Sequence, residues 1–465
     1  MNEHEIARRA DQWIEEHEAE LVRDLRKLVD IRSVSAPGEG GYAMGLGCKE
    51  CADALMDICK GYGFEVENDD YYSVSAILRG KTDRELGILG HMDVVPEGTG
   101  WHYEPYRSVE KDGYVIGRGS SDNKGPTVMS LYVLRCLRDL GIELNHTVRV
   151  IAGFNEEAGM QDVEHYLKGH TPPEYTIVCD GGWAMCIGEK GILTADLTMP
   201  VDGGNLLDIC GGIASNSVPD SAWAVLTSLS EEAKAKLAQF AHVTVAAEGE
   251  NYRVSAVGKA AHAFTPHQGA NAIYRLLEAL CESGALTGDA AEKLAALRSC
   301  FVDDYGTGLD IACEDEISGK TTCIGGMIRM RDGRVCQNIN VRYAIEEDSA
   351  DMLQRFEARC AQRGLTIENL DYSKPRYTSP ELPTTKLLLD TCHEFLEVQY
   401  EPYVMGGGTH ARKFPNALPY GPAIMDGESP FGFPHGIDEA VSIDTLKKGL
   451  RVYVVALMRL DAHLA

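Results

Sequence analysis

The pattern of hydrophobic and polar positions changes near residue 190. In the first 185 residues, continuous apolar runs alternate with segments whose apolar residues recur every three or four positions. We predict buried strands in the runs GILGHMDVV, TVRVIAGF and YTIVCDGG, and helices in CADALMDICKGYGF, GPTVMSLYVLRCLRDLG and QDVEHYLKG. Alternating strands and helices of this kind predict a mainly parallel, doubly wound α/β sheet with helices on both faces.

From about Lys190 the segments ILTADLTM and NYRVSAVGKAAHAF alternate apolar and polar residues, which is typical of half-exposed antiparallel strands. The segments DSAWAVLTSLSEEAKAKLAQF and NAIYRLLEAL predict surface helices. After PELPTT the first pattern returns, with a helix in KLLLDTCHEFLEVQ, a strand in PAIMD and a C-terminal helix. We therefore expect a catalytic α/β domain at 1–187 and 386–465, split by an inserted α+β lid domain of antiparallel sheet and helices at 188–385.

Composition agrees with a soluble chain of two domains, because 465 residues exceed what one hydrophobic core usually serves. The formal net charge of -27 disfavours nucleic acid and anionic membrane surfaces as partners. The N-terminus has no apolar signal segment, and no run of about 18 apolar residues predicts a membrane span. The 14 cysteines lie mostly in apolar segments and are expected to be reduced, which indicates a cytoplasmic protein. Cys48 and Cys51 form a CxxC without a companion pair, so we interpret them as core residues rather than as a redox or zinc site.

Acidic residues and histidines follow the predicted strands or occupy loops. They are His91 and Asp93, Glu156 and Glu157, Asp180, Asp122 in GRGSSDNKG, and His435 in FGFPHGIDE. A single histidine at a strand end is usually structural, but ligands in open α/β sheets bind beyond the carboxyl ends of the strands. Clustered carboxylates repel one another unless cations compensate, and the nearby Arg118 and Lys124 are too few. We therefore predict two divalent metal ions, with mixed histidine and carboxylate ligands favouring zinc and leaving manganese or cobalt open.

Five motifs, GHMDVVPEG, GRGSSDNKG, NEEAGM, VCDGG and PHGIDE, occur in the order and spacing of the co-catalytic metallopeptidase family. This family includes acetylornithine deacetylase, succinyl-diaminopimelate desuccinylase and the carnosine-type dipeptidases. The resemblance covers almost the whole chain. In its length and its large insert, the chain is most similar to the dipeptidases of the peptidase V type.

The resemblance implies a role for each motif residue. His91 and Asp180 would hold one metal, His435 and Glu157 the other, and Asp122 would bridge the two beside a shared water. Glu156 would be the general base that accepts a proton from that water. Asp93 would orient the His91 imidazole. The family also has a cis peptide bond after its bridging aspartate, here Asp122–Asn123.

The resemblance extends into the insert. His262 in GKAAHAF would stabilise the developing oxyanion, and Asn216 and Arg342 would bind substrate. In the loop MGGGTHAR, backbone N–H groups of the glycines, among them Gly407 and Gly408, would bind a substrate carboxylate, and Thr409 and His410 would also contact substrate. His410 stands where the peptidase V type often has tyrosine, so the specificity of this loop stays open.

The function that the resemblance implies is a metal-dependent dipeptidase acting on short unblocked peptides. Two alternatives remain open: a deacylase of N-acyl amino acids or diamino acids, and a metal-binding relative without catalysis. Some relatives are dimers whose lid reaches into the partner's active site. An insert of nearly 200 residues would replace that partner and is compatible with a monomer.

Overall fold

The chain forms two compact units in a computed structural model that describes residues 2–423 and 429–465. The first unit comprises Met1–Ile187, Thr378–Tyr403 and Gly408–Ala465. The inserted unit comprises Gly188–Tyr377 and Val404–Gly407. Each unit has its own large hydrophobic core.

The described residues contain ten α-helices. In chain order they are α1 (Glu3–Val29), α2 (Leu46–Gly61), α3 (Gly125–Asp139), α4 (Gln161–Gly169), α5 (Glu231–Leu237), α6 (Ala272–Ser283), α7 (Gly288–Arg298), α8 (Ser349–Gln362), α9 (Pro383–Leu396) and α10 (Ile443–Leu464). None of these described helices is both long enough and apolar enough to cross a membrane.

A six-stranded sheet organises the first unit. In spatial order its strands are Glu65–Asp69, Ser73–Leu78, Thr147–Gly153, Glu85–His91, Tyr175–Val178 and Ala417–Pro419. The first two are antiparallel to their neighbours, and the other four run parallel to one another. The prediction of a mainly parallel α/β sheet is confirmed.

Helices cover both faces of this sheet because successive strand residues point to opposite sides. Ile88 belongs to the core that also contains residues of α1, α2, α3 and α10. Its neighbour Leu89 belongs to a smaller core with Val163 and Tyr166 of α4. The helix α3 begins with Pro126 in its first turn, where the missing amide hydrogen costs nothing.

The inserted unit is built on an eight-stranded sheet in which every neighbouring pair is antiparallel. In spatial order the strands are Val243–Glu248, Asn251–Val257, Ser221–Leu226, Leu206–Gly211, Thr322–Arg331, Arg334–Tyr343, Gly191–Pro200 and Thr366–Ser373. Residues of α5, α6, α7 and α8 contribute to its core. The predicted antiparallel lid fold is confirmed.

One predicted helix is wrong in its first half. The segment DSAWAVL forms the strand Ser221–Leu226, and the helix α5 begins only at Glu231, after a Ser230 cap. Alanine is compatible with both the helix and the strand pattern, so the alternation of Ala222, Ala224 and Leu226 did not identify a strand in the sequence. These three side chains are buried in the sheet's core.

Twelve short strands of the described residues lie outside the two main sheets. They are Val109–Lys111, Tyr114–Ile116, Gly181–Gly182, Cys186–Glu189, Ser217–Val218, Ala261–His262, Glu314–Asp315, Gly319–Lys320, Arg376–Tyr377, Tyr403–Met405, Pro422–Ala423 and Ala440–Ser442. The predicted strand PAIMD includes Pro422–Ala423, and its remaining residues 424–426 lie outside the described residues. All 14 cysteines are free thiols, and Cys48 and Cys51 are buried within α2.

Candidate metal centre

Three adjacent parallel strands end at the same edge of the first unit's sheet. His91 is the last residue of its strand and pairs with Gly153, and Leu89 of the same strand pairs with Val178. Glu156 and Glu157 therefore emerge beside His91 on one side, and Asp180 emerges on the other. The sheet register, rather than proximity along the chain, brings these side chains together.

Asp122 reaches the same edge from the loop that precedes α3. The Asp122–Asn123 peptide bond is cis, as the resemblance implies. The Asn123 side chain then joins two of the strand ends. Its Nδ2 donates to the carbonyl of Cys179 at 2.7 Å, and its Oδ1 accepts from the amide of His91 at 3.2 Å.

The Asp122 carboxylate faces two different histidines. Its Oδ1 lies 3.0 Å from His91 Nε2, and its Oδ2 lies 3.2 Å from His435 Nε2. His435 Nε2 is also 3.1 Å from Glu157 Oε1, and His91 Nε2 is 3.8 Å from Asp180 Oδ2. One carboxylate thus stands between two sets of potential ligands.

Three groups in the described residues bring their ligand atoms within 4.8 Å of one another, which is close enough to share a metal ion. They are His91, Asp122 and Asp180; Asp122, Glu157 and His435; and His91, Glu156 and Glu157. The first two groups contain the two predicted ligand sets. The third places Glu156 beside them as an additional carboxylate.

Electrostatics indicates that this cluster is stabilised by positive charge. Burial and the Asp122 carboxylate raise the pKa of Asp180 to about 7, and the same two causes raise the pKa of Glu157. Burial also raises the pKa of Glu156 well above its ordinary value. Hydrogen bonds with Asp122 and Glu157 raise the pKa of His435 to about 11. Each shift favours bound protons, which divalent cations can replace, so the donor set fits a pair of metal ions.

The two cations nearest in sequence are engaged elsewhere. Lys124 is buried, and its Nζ donates to the carbonyls of Leu28 and Ile31 at 2.9 and 2.8 Å. Arg118 is buried and pairs with Glu439, with 2.6 Å between Nη1 and Oε2.

Asp93 holds the turn that carries the paired glutamates. Its carboxylate is fully buried and accepts from the amides of Glu156 and Glu157, each at 3.1 Å. Asp93 Oδ1 is 3.4 Å from His91 Nδ1, but the backbone carbonyl of Asp93 is closer to that nitrogen, at 3.0 Å. The carboxylate therefore positions the Glu156–Glu157 turn as well as facing the imidazole.

The predicted substrate loop is divided between the two units. Gly407 belongs to the inserted unit, where a Cβ would meet open space, and Gly408 begins a segment of the first unit. Thr409 caps the following turn, with its Oγ1 accepting from Ala411 N. The position of His410 differs from the one expected for a substrate contact. Its ring is completely buried, and its Nε2 lies 3.1 Å from Asp162 Oδ2.

Within the inserted unit, the structure brings two of the predicted residues together. His262 pairs with Ser217 in a short two-stranded ladder, and Ala263 N donates to the carbonyl of Asn216. Both Asn216 and His262 are exposed.

Arg342 lies on a strand of the large sheet and is 8% exposed. It donates to Asn340 Oδ1 and to the carbonyl of Gly406, each at 2.9 Å. Asn340 is 3.4 Å from the Ser215 hydroxyl, next to Asn216, so this network joins Arg342 to the segment that contains Asn216.

Two interactions near the centre were missed in the sequence analysis: the contacts of Glu439 and the Asp162–His410 pair. Glu439 follows His435 by four residues in the same motif, which was the only available signal for it. Asp162 lies in the first turn of α4, where acidic residues are common because they interact favourably with the helix dipole. Its residue type therefore did not indicate a buried partner.

Comparisons with known proteins identify the family of this chain. The model of a family described as Peptidase family M20/M25/M40 matches residues 87–459. A Bacillus subtilis (strain 168) protein named "Putative dipeptidase YtjP" is 30% identical over 458 residues, covering 95% of this chain and 97% of the relative.

Among solved structures, the Saccharomyces cerevisiae di-peptidase Dug1p has a TM-score of 0.59 at 14% identity, with 98% of each chain covered. Human carnosine dipeptidase 1 has a TM-score of 0.58 at 15% identity, covering 98% of this chain and 100% of that one. The two structural likenesses show a shared fold, whereas the family match and the Bacillus relative show descent: the chain belongs to peptidase family M20/M25/M40.

Proposed function

We propose that this protein is a dipeptidase that hydrolyses the amide bond of short unblocked peptides with two divalent ions, zinc in the first place and manganese or cobalt as alternatives. One observation carries the proposal: Asp122 presents its two oxygens to His91 and His435, and Glu156 lies beside them. Membership of the M20 family implies co-catalytic metal ions, and the curated relative YtjP carries a dipeptidase name. The sequence further favours a cytoplasmic monomer, which we include in the proposal.

His91 and Asp180 would hold one ion, Glu157 and His435 the other, and Asp122 would bridge them. When bound, the two ions lower the pKa of a water molecule and polarise the scissile carbonyl. Glu156 accepts the proton of the attacking water at a carboxylate oxygen and returns it to the leaving amine. Burial raises the pKa of Glu156, which suits a group that must both accept and release a proton.

The inserted unit supplies substrate contacts in this proposal. His262 donates to the carbonyl oxygen as negative charge develops on it, and Asn216 binds the same region of the peptide. Arg342 binds the free C-terminal carboxylate, with amides of Gly407 and Gly408 as further donors. This arrangement requires a substrate with an unmodified carboxyl terminus.

The test is a substrate panel combined with elemental analysis of the purified protein. Dipeptides, their C-terminally amidated forms, and N-acetyl and N-succinyl amino acids are assayed with zinc, manganese or cobalt added. We expect turnover of free dipeptides and two metal ions per chain. Clear deacylation without peptide turnover would instead favour a deacylase.

Glu156→Gln tests the assignment of the base. We expect two bound metals and a kcat that is lower by about 10²- to 10⁴-fold, the usual contribution of a general base. Glu164→Gln is the matched control, because Glu164 is exposed on α4 and pairs with Lys413, and it should leave kcat unchanged. Hydrolysis by Glu156→Gln at the wild-type rate would refute the assignment.

A further inference from the structure

Glu439 has a fully buried carboxylate that accepts five hydrogen bonds next to the metal centre. Its Oε1 accepts from the amides of Ser121 and Asp122, each at 3.0 Å, and from the Ser121 hydroxyl at 2.9 Å. Its Oε2 accepts from Arg118 Nη1 at 2.6 Å and from the amide of Gly119 at 3.0 Å. The side chain therefore holds the whole backbone turn that presents Asp122.

The backbone of Glu439 takes part in the same attachment. Its carbonyl accepts from the amide of Gly117 at 2.8 Å and from the Ser120 hydroxyl at 3.2 Å. Gly119 has φ +82°, a left-handed conformation in which a side chain would be strained, and a Cβ there would lie 2.5 Å from Val94. The turn is thus fastened along its length and has little freedom to move.

Arg118 extends this attachment to the turn that carries the second histidine. Its guanidinium is buried and pairs with Glu439, and its Nη2 donates to the carbonyl of His435 at 3.2 Å. The guanidinium also lies 5.1 Å above the ring of Trp101, which limits its rotation. One buried ion pair therefore connects the backbone of the Asp122 turn to the backbone of the His435 turn.

We infer that Glu439 is a positioning residue of the metal centre, which with Arg118 sets the spacing between Asp122 and His435 and thereby the affinity for the ion held by His435. Asp122 and His435 are more than 300 residues apart in the chain, so neither can be placed by local structure. The carboxylates of Asp122 and Glu157 repel each other and would separate in the absence of a rigid frame. Because Arg118 balances its charge, Glu439 provides this frame without adding net negative charge to the cluster.

This inference depends on the metal pair of the proposed function but not on dipeptide hydrolysis. Glu439→Gln replaces one acceptor oxygen by an amide group that faces backbone N–H donors. Loss of partners that orient metal ligands typically costs about 10- to 100-fold in metal affinity. We expect this loss mainly in the binding step that His435→Ala abolishes.

Asp461→Asn is the matched control. Asp461 is likewise a buried carboxylate, and it accepts from the consecutive amides of Asn145 and His146 at 3.0 and 2.7 Å. Asp461 lies on α10 and binds the two residues just before the strand Thr147–Gly153, whereas the metal centre lies beyond the other end of that strand. Removing its charge perturbs a comparable hydrogen-bond network but should leave metal affinity within about threefold of wild type, because no ligand segment is attached to it.

The experiment titrates the metal-free full-length protein with Co²⁺ alone, following the visible absorbance of the ion and competition with a chelator, and records thermal unfolding of each variant. Ser121→Ala is added because it removes only the hydroxyl bond to Glu439 and should preserve the fold; we expect a loss of about 3- to 10-fold in the same step.

Wild-type affinity in both Glu439→Gln and Ser121→Ala would overturn the inference. Equal weakening by Asp461→Asn would also overturn it, since the effect would then be general destabilisation. If Glu439→Gln does not fold, Ser121→Ala decides alone. A wild-type protein that binds two Co²⁺ ions but hydrolyses no dipeptide would refute the proposed function and leave this test intact.

Discussion

Asp93→Asn perturbs the link between the metal centre and its predicted base at a single atom. The Asp93 carboxylate accepts the amide hydrogens of both Glu156 and Glu157 and is fully buried. Asparagine has nearly the same shape but keeps only one acceptor oxygen, so its amide group must face one of the two backbone donors. The contact of His91 Nδ1 with the Asp93 backbone carbonyl is retained, which preserves the imidazole orientation.

The size of the effect follows from these contacts. Losing one hydrogen bond to a buried charged acceptor costs about 2–3 kcal/mol. If that energy holds the Glu156–Glu157 turn in its reactive position, kcat falls by about 30- to 150-fold, at about 1.36 kcal/mol per factor of ten. At saturating metal concentration the pair of ions should still be bound, because all the predicted ligand side chains remain, so kcat is compared in the metal-loaded proteins.

The assay measures kcat and KM for a dipeptide together with metal content in wild type, Asp93→Asn and Asp461→Asn. Asp461 also accepts two consecutive backbone amides, at 3.0 and 2.7 Å, but far from the centre, so its variant should keep the wild-type kcat. A kcat within threefold of wild type in metal-loaded Asp93→Asn would refute the reasoning. An equal fall in both variants would show that the loss reflects general stability.

Two further predictions concern stability. In the chelator-treated protein, Asp180 has a pKa raised from 3.8 to about 7, so its ionisation destabilises the fold as the pH rises between these values. His435 has a pKa raised from 6.5 to about 11, so the stability from its charge is lost over that higher range. Thermal unfolding at pH 5 and pH 8 should therefore show a lower Tm at pH 8, and more so without metal than with it; a metal-free Tm that rises with pH would contradict this. Asp162→Asn removes the charged partner of the buried His410 and should cost about 3 kcal/mol of unfolding free energy. Denaturant unfolding measures that loss, and a change below about 1 kcal/mol would show that the pair is dispensable.

Much of the fold could be predicted from the sequence because periodicity is a local property. The helices α2, α3, α4 and α6 lie where their apolar repeats place them. The strand ends at His91, at Gly153 and before Asp180 were visible as apolar runs that stop at acidic or histidine residues. The strand Ser221–Leu226 could not be recognised because its alanines fit a helix equally well, and cross-strand partners decided the outcome.

For the candidate site, the sequence by itself determined which residue types are available for chemistry and at which ends of which elements they lie. Only the tertiary structure decided their partners: that Asp93 holds the amides of the paired glutamates, that His410 turns inward to Asp162, and that Glu439 and Arg118 join two distant turns. The physical reason is that apolar periodicity acts over a few neighbouring residues, whereas a buried polar group takes whichever partner the packed chain brings within hydrogen-bond distance. For Glu439 and Asp122 that partner is more than 300 residues away.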